Sequence, residues 1–144
     1  MSGTLLNLDK LAAEQAQKMV TAAQDGIEGV KNPVETLERL ATKTLGVLQA
    51  QGVYAMMLFL FSRSSDEEKV AATCICPQLF QALKELPGFQ DAGVPPDQAD
   101  TKRALQFYSE KVLDNLDSLL LVRDLYEQTL IYARYHAKAL GGNE

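Results

Sequence analysis

The chain has 144 residues, the length of one ordinary domain, and its content of 47% hydrophobic and 23% charged residues excludes a disordered protein. Its 14 basic and 19 acidic residues give a formal charge of -5, which excludes the broad positive field of a free-standing nucleic-acid binder. Any contact with RNA or DNA must therefore be local.

The first part of the chain has the pattern of an amphipathic helix. Apolar residues recur at steps of three and four, which places them on one helical face: Leu5, Leu8, Ala12, Ala16, Met19 and Ala23. Gly26 and Gly29 are expected to end this helix. Residues 1–20 carry acids and polar groups among their leucines, so they do not resemble a secretory signal, and we take the cytoplasm as the default compartment.

A second helix start is indicated by Asn32, Pro33 and Glu35, which suit the N-cap, the first helical position and the third position after the cap. The residues predicted to form the buried face of this helix again follow a helical spacing: Val34, Leu37, Ala41, Leu45 and Leu48. Gly52 is well placed to end the helix or to mark a bend.

The segment from Val53 to Phe61 is apolar on all sides. A lone strand would leave its backbone polar groups without partners, so we predict a central, buried helix. The segment is far shorter than the roughly 20 residues that cross a bilayer, so we expect no membrane contact. Ser65 and Glu68 offer a capping box for the next helix, which is expected to be interrupted or restarted at Pro77.

The rest of the chain is predicted to form a loop and two helices. Residues 87–100 are dense in glycine and proline and are interpreted as a surface loop inside a single domain spanning 1–144. Asp100 is expected to cap a helix with these residues inward: Ala104, Leu105, Tyr108, Val112 and Leu113. The last helix is predicted from about Leu116 to Leu140. The predicted fold class is therefore all-α, a compact single-domain bundle of five to six helices.

The last helix carries two apolar stripes. The first contains Leu119, Val122, Tyr126, Leu130, Ala133, Ala137 and Leu140, and the second contains Leu121, Leu125, Tyr132 and His136. Two stripes indicate contacts on two sides of the helix. One interpretation is a helix in the middle of the bundle, and the other is a partner interface formed by the second stripe.

Residues suited to catalysis or metal binding do not occur in recognisable groups. His136 is the single histidine and belongs to no nucleophile motif, so we interpret it as a packed or interface side chain. Cys74 and Cys76 lack the second pair of ligands that a structural zinc site needs, and we interpret them as small buried residues of a reduced protein. We therefore expect no enzyme, no metal, no cofactor and no small-molecule substrate, although an acid–base pair formed only by tertiary proximity would escape a sequence search.

Charge placement is the remaining feature. Three pairs of basic residues are four or eight positions apart, so that each pair points to one side of its helix: Lys10 with Lys18, Arg39 with Lys43, and Arg134 with Lys138. There is no acidic residue between Glu127 and Glu144, so the last pair lies in a locally basic segment. Each pair fits either a solvated helix face or contact with phosphates.

Three blocks of the chain resemble the small helical subunit of type III-B (Cmr) CRISPR RNA-targeting complexes. The first contains Leu8-Asp9-Lys10 and Ala13-Glu14-Gln15-Ala16. The second contains Lys43, Leu48, Gln51-Gly52-Val53 and Leu58-Phe59-Leu60. The third is Tyr132-Ala133-Arg134-Tyr135-His136-Ala137-Lys138-Ala139-Leu140. Together the blocks cover about half of the chain, and their order and spacing carry the likeness.

The resemblance implies a non-catalytic subunit that stacks with copies of itself beside other CRISPR effector subunits and helps to hold the duplex of crRNA and target RNA. Lys43 and Arg134 match basic residues of the family, and Lys10 is a weaker match. Lys18, Arg39 and Lys138 are added only because they share helix faces with these residues. Contact with the phosphate backbone would give strong salt dependence without sequence preference. A helical adaptor without nucleic acid, or the small subunit of another type III complex, remains the alternative.

Overall fold

The computed structural model describes residues 7–25, 31–86, 89 and 101–141. Within these ranges the chain forms six α-helices and one π-helical segment, with no strand, which confirms the all-α prediction. The α-helices are α1 (Leu8–Gln24), α2 (Pro33–Gln51), α3 (Val53–Phe61), α4 (Asp66–Lys84), α5 (Thr101–Phe107) and α6 (Leu116–Gly141), and the π-helical segment is Tyr108–Val112, between α5 and α6.

Short polar side chains fix where the helices begin. The Asn7 side chain accepts a hydrogen bond from the backbone N–H of Lys10 at 3.0 Å and caps α1. The Ser65 hydroxyl accepts the backbone N–H of Glu68 at 3.1 Å and caps α4, as predicted. Helix α2 begins at Pro33, which needs no backbone donor at this position. The proposed caps or ends at Gly26, Gly29 and Asp100, and the apolar Leu5, lie outside the described residues.

Gly52 forms the corner between α2 and α3. Its N–H donates to the carbonyl of Leu48 at 2.9 Å, and its own carbonyl accepts the N–H of Met56 at 3.1 Å. The residue has φ 100° and ψ -177°, a region that residues with a side chain rarely occupy. One glycine therefore ends α2 and starts α3, which confirms that it marks a bend.

Helix α6 lies in the middle of the bundle. It packs against α2 and α1, with further contacts to α3, α4 and the π-helical segment. Its first stripe supplies buried core residues: Val122, Tyr126, Leu130, Ala133 and Ala137. The second stripe faces α1, where Leu125 is 1% exposed. The two stripes therefore reflect contacts on two sides, as the central-helix interpretation predicts.

Two buried tyrosines connect α4, the π-helical segment and α6. The hydroxyl of Tyr126 donates to the Leu79 carbonyl at 3.2 Å. The hydroxyl of Tyr108 lies 2.5 Å from that of Tyr126 and donates to it, since Tyr126 has already used its only proton. Burial raises the pKa of both phenols well above the usual value. Both rings therefore stay neutral and act as hydrogen-bonded core residues.

Helix α4 continues through Pro77 without interruption, which corrects the expected break. Proline removes one backbone hydrogen bond and costs about 3 kcal/mol inside a helix. On either side of it, Ile75, Leu79 and Phe80 are at most 2% exposed. Burying such side chains contributes about 1.5–3 kcal/mol each, which is enough to keep the helix in register.

Three further predictions need correction. Helix α3 forms as predicted but is buried on one face only, because Leu58 is 45% exposed. Leu113 was expected to point inward and is 38% exposed, because the π-helical segment shifts the register of the residues after it. Phe89, inside the predicted surface loop, is buried against Phe107 with ring centroids 6.4 Å apart. Residues 87, 88 and 90–100 of that loop lie outside the described residues.

No helix in the described part of the chain is long and apolar enough to cross a membrane.

Candidate nucleic-acid interface

The basic pair on α2 is held by acidic residues. Arg39 Nη1 lies 3.3 Å from Glu35 Oε1 on the same helix, and Arg39 Nη2 lies 4.0 Å from Glu67 Oε2 at the start of α4. Lys43 Nζ donates to Glu68 Oε2 at 2.8 Å. The acidic side chains in the first turn of α4 interact favourably with the partial positive charge at the N-terminus of that helix. The same carboxylates also neutralise the cations of α2.

Arg63 joins the same contacts from the end of α3. Its guanidinium stacks on the Phe59 ring, 3.6 Å from the centroid, and its Nε donates to the Phe59 carbonyl at 2.9 Å. Nη1 lies 3.4 Å from Glu68 Oε1, so one carboxylate serves Lys43 and Arg63. The residues Arg39, Lys43, Arg63, Glu67 and Glu68 are called the α2–α4 charged cluster below.

Glu68 is the centre of the α2–α4 charged cluster. The hydrogen bond from Lys43, together with the positive charges of Lys43 and Arg63, lowers the pKa of the Glu68 carboxyl. The side chain of Glu68 is 21% exposed, whereas that of Lys43 is 56% exposed. The carboxylate is therefore the fixed partner, and the lysine approaches it from solvent.

The basic pair on α1 is open to solvent. Lys10 and Lys18 are both exposed. No ion pair joins either lysine to a carboxylate within the ranges that the structure describes. Their side of α1 also carries the exposed Glu14, so this surface has mixed charge.

The basic pair on α6 lies on an outer edge of that helix. Arg134 is half-buried, with its guanidinium carbon 5.5 Å from the centroid of the Tyr135 ring, and Lys138 is exposed. Neither residue forms an ion pair with a described carboxylate. Arg134 and Lys138 are called the α6 basic edge below.

Tyr135 was not singled out by the sequence analysis. It is 59% exposed and lies under the guanidinium of Arg134, so it presents an aromatic ring beside a free cation. Single-stranded nucleic acids bind to such pairs through base stacking and phosphate contact. In the sequence, the aromatic residues Tyr135 and His136 directly follow Arg134, which could have indicated this pair. Helical spacing alone, however, does not show that the Tyr135 ring is exposed.

The second stripe of α6 packs mainly against α1. Leu125 is buried in the core, which corrects its assignment to a possible partner interface. Leu121 is half-buried, and the hydroxyl of Tyr132 donates to the carboxylate of Asp9 on α1. This hydrogen bond raises the pKa of Tyr132, because the ionised phenol would lose it. These groups are thus largely used for internal contacts.

His136 is half-buried at a cleft of about 380 Å³ between α1 and α6. The cleft is also lined by Asp9, Gln17, Tyr132 and Tyr135. Because α6 turns by about 100° per residue, Arg134 and Lys138 point about 200° away from Tyr132 and His136, respectively. The cleft and the α6 basic edge are therefore on different sides of one helix.

The six predicted phosphate-binding residues lie on three helices. Among these six residues, Arg39 and Lys43 are the two that form ion pairs with described acidic residues at the start of α4. Lys10, Lys18 and the α6 basic edge remain available to an external anion. The structure thus divides a set that looked uniform in sequence into a paired group and an open group.

Neither cysteine has the environment of a reactive thiol. Burial raises the pKa of Cys74 to about 11 and that of Cys76 to about 12. In the part of the chain that the structure describes, no three His, Cys, Asp or Glu side chains are grouped so that they could hold a metal ion.

No protein-family model matches the sequence, and neither a curated protein nor a solved structure matches the chain.

Proposed function

We propose that this chain is a non-catalytic small subunit of a type III-B (Cmr) CRISPR RNA-targeting complex and helps to hold the duplex of crRNA and target RNA through its phosphates. Two observations support the proposal. The three blocks of resemblance occur in the family's order, and the third block contains the α6 basic edge, whose cations have no described acidic partner. The open α6 basic edge is the observation that carries the RNA-binding part.

The proposed contact is local and independent of sequence. Arg134 and Lys138 are one helical turn apart and can meet successive phosphates of the duplex. The net charge of -5 opposes binding by the isolated chain. Neighbouring subunits must therefore provide part of the positive surface, which fits a subunit better than a free-standing RNA binder.

Lys43 has a different place in this proposal. Its ion pair with Glu68 lies at the protein surface, with the lysine side chain 56% exposed, and surface pairs contribute only about 0–1 kcal/mol. A phosphate could therefore replace the carboxylate at small cost. Lys43 would act as a second contact, used after the α6 basic edge has placed the RNA.

The two ends of α6 support the stacking of copies. Leu116 and Leu120, at its start, are 67% and 48% exposed and have the exposed Asp117 between them. The other end carries the exposed Leu140. A copy bound head to tail would place the apolar groups of the two ends together.

The same exposed leucines favour a second candidate function. Neighbouring exposed apolar side chains are typical of protein contact sites, and they require no nucleic acid. A helical adaptor would use Leu116 and Leu120 to bind a partner and would not depend on the α6 basic edge.

Purification of the tagged chain from its native host, followed by analysis of bound RNA and bound subunits, tests the proposal. We expect short guide RNAs and large partner subunits. The double variant Arg134→Glu/Lys138→Glu should retain at least about tenfold less RNA, since each lost phosphate contact lowers affinity and reduces the salt slope by about one. The matched control Lys102→Glu/Lys111→Glu changes two exposed lysines elsewhere and should retain RNA as the wild type does.

The outcomes separate the candidates. Recovery of a partner protein without RNA would reject the CRISPR proposal and leave the adaptor. RNA lost equally in both double variants would show that only total charge matters, and would reject the assignment of the α6 basic edge.

A further inference from the structure

A groove between α3 and α4 is not used by the proposed function. It has a volume of about 530 Å³, within the range of roughly 300–1,000 Å³ typical of small-molecule sites. Its lining residues come from the end of α3, from the connection to α4 and from the middle of α4: Leu60, Phe61, Arg63, Lys69, Ala72, Thr73, Cys76 and Pro77.

The walls of this groove are mainly apolar. Leu60 is 2% exposed and Ala72 is 8% exposed, so both form its floor, and Phe61 and Pro77 are half-buried beside them. The thiol of Cys76 is neutral, because burial raises its pKa to about 12. An occupant would therefore place an alkyl chain or another slender apolar group against these walls.

The two charged side chains among the described residues that line the groove are both positive. Arg63 is fixed by its stacking on Phe59 and by its hydrogen bond to the Phe59 carbonyl, so its position does not depend on an occupant. Lys69 is exposed and forms no ion pair with a described carboxylate. Glu68 neutralises Arg63 in part, at 3.4 Å. The groove thus combines an apolar wall with one free cation and one partly paired cation.

We propose that the groove between α3 and α4 binds a small amphipathic anion, with an alkyl chain on Leu60, Phe61 and Pro77 and a carboxylate at Lys69 and Arg63. The head group is negative because both lining charges are positive. The tail is apolar because a fully charged ligand would leave the walls unused. This ligand is bound and not converted, and the proposal does not depend on RNA binding.

The test is isothermal titration calorimetry of the full chain with sodium decanoate. We expect saturable binding of one molecule, which tightens by up to about fourfold for each methylene added from octanoate to decanoate. Nonyltrimethylammonium has the same nine-carbon tail and a positive head, and it should bind at least about tenfold more weakly because it meets two cations.

Two variants locate the site. Lys69→Glu should weaken decanoate binding about tenfold or more, while Lys111→Glu, an exposed lysine in the π-helical segment, should leave it within about twofold. Thr73→Phe fills the groove from an exposed position and should abolish binding, while Ala50→Phe places the same ring on the exposed side of α2 and should not. Far-UV circular dichroism should give the same helix content for all four variants.

Several results would overturn the proposal. These are binding without saturation, equal affinity for nonyltrimethylammonium, or unchanged affinity in Lys69→Glu and Thr73→Phe. If a second copy of the chain occupied the groove, decanoate would not bind, and Thr73→Phe would reduce the size of the particle in light scattering. Because no RNA is present in the titration, these outcomes are independent of the test of the proposed function.

Discussion

Two regions of the molecule differ in whether their basic side chains are paired with acidic ones. In the α2–α4 charged cluster, Lys43 and Arg63 share the carboxylate of Glu68, and Arg39 lies between two acids. At the α6 basic edge, Arg134 contacts only an aromatic ring among the described groups, and Lys138 is open to solvent. Both regions carry the same sequence pattern, a pair of cations four residues apart.

The two pairs differ because the elements that face their helices carry different charges. Helix α2 packs against α4, whose first turn is acidic. The end of α6 carries no acid of its own and projects its cations away from the cleft with α1. Spacing therefore identifies cations that share a face, but the neighbouring element decides whether they are available to bind phosphate.

The largest effect is expected at Gly52, the backbone corner between α2 and α3. This corner sets the direction of α3 and thereby helps to place α4 beside α2. Gly52→Ala should lower the free energy of unfolding by about 1–3 kcal/mol, because the backbone conformation at φ 100° disfavours a side chain. An added Cβ would meet no atom within 4 Å, so the cost is conformational and not steric. Urea unfolding followed by circular dichroism measures it.

Gly46→Ala is the matched control for this prediction. Gly46 lies inside α2, is exposed, and also has no atom within 4 Å of an added Cβ. The variant should raise the free energy of unfolding by about 0.5–1 kcal/mol, since alanine favours the helix. If Gly52→Ala were equally stabilising, the corner would not require its positive φ.

The next effect tests the geometry of the α2–α4 charged cluster. Arg63→Lys keeps the charge but loses the stacking on Phe59 and the Nε hydrogen bond to its carbonyl. We expect the free energy of unfolding to fall by about 1 kcal/mol, because lysine cannot reproduce these directed contacts. Lys111→Arg, the reverse exchange at an exposed position, should change it by less than about 0.5 kcal/mol. Equal stability of Arg63→Lys and the wild type would mean that charge alone matters here.

A smaller effect should depend on pH. The native pKa of Glu68 is lowered, so its contribution to stability is present above the unfolded pKa and is lost as the pH falls through the native pKa. Glu68→Gln should cost about 0.5–1 kcal/mol at pH 7 and less than that at about pH 3, where more of the native carboxyl is protonated. Chemical unfolding at both pH values measures the difference.

Glu67→Gln serves as the control for this pH dependence. Its carboxylate lies 4.0 Å from Arg39, and both side chains are 54% exposed. The variant should therefore change the free energy of unfolding by less than about 0.5 kcal/mol at either pH. A cost of Glu68→Gln that persisted at low pH would point to lost packing and not to lost charge.

The smallest effect is expected at the α6 basic edge. Arg134→Gln/Lys138→Gln should change the free energy of unfolding by less than about 0.5 kcal/mol at low or high salt, because no described acid is paired with either residue. Thermal unfolding in about 50 and about 500 mM salt, between which the Debye length shortens roughly threefold, measures it. A large loss of stability would mean that these cations support the fold and are not available to RNA.

The sequence was most informative where the cause is local. The start of α2 at Pro33, the cap of α4 at Ser65, the corner at Gly52 and the span of α6 follow from residues within a few positions of each other. The continuation of α4 through Pro77 was not predictable in this way. It depends on buried contacts of Ile75 and Phe80 with other helices, and the local rule for proline favours a break.

The candidate interface was predictable only as a set of cations. That Lys43 meets Glu68 depends on residues 25 positions apart, and the contact between Tyr132 and Asp9 joins positions 123 apart. Periodicity within one helix contains no information about such partners. For the same reason, the second stripe of α6 could not be divided in advance into the buried Leu125 and the partly exposed His136.

The sequence by itself determined that this chain folds into helices, where most of them begin, and which sides of them are apolar, because capping and periodicity act over one or two turns. Only the tertiary structure decided which charges are neutralised, which aromatic ring is exposed and where a groove remains. These properties arise from the packing of one helix against another, and they are therefore set by residues that are distant along the chain.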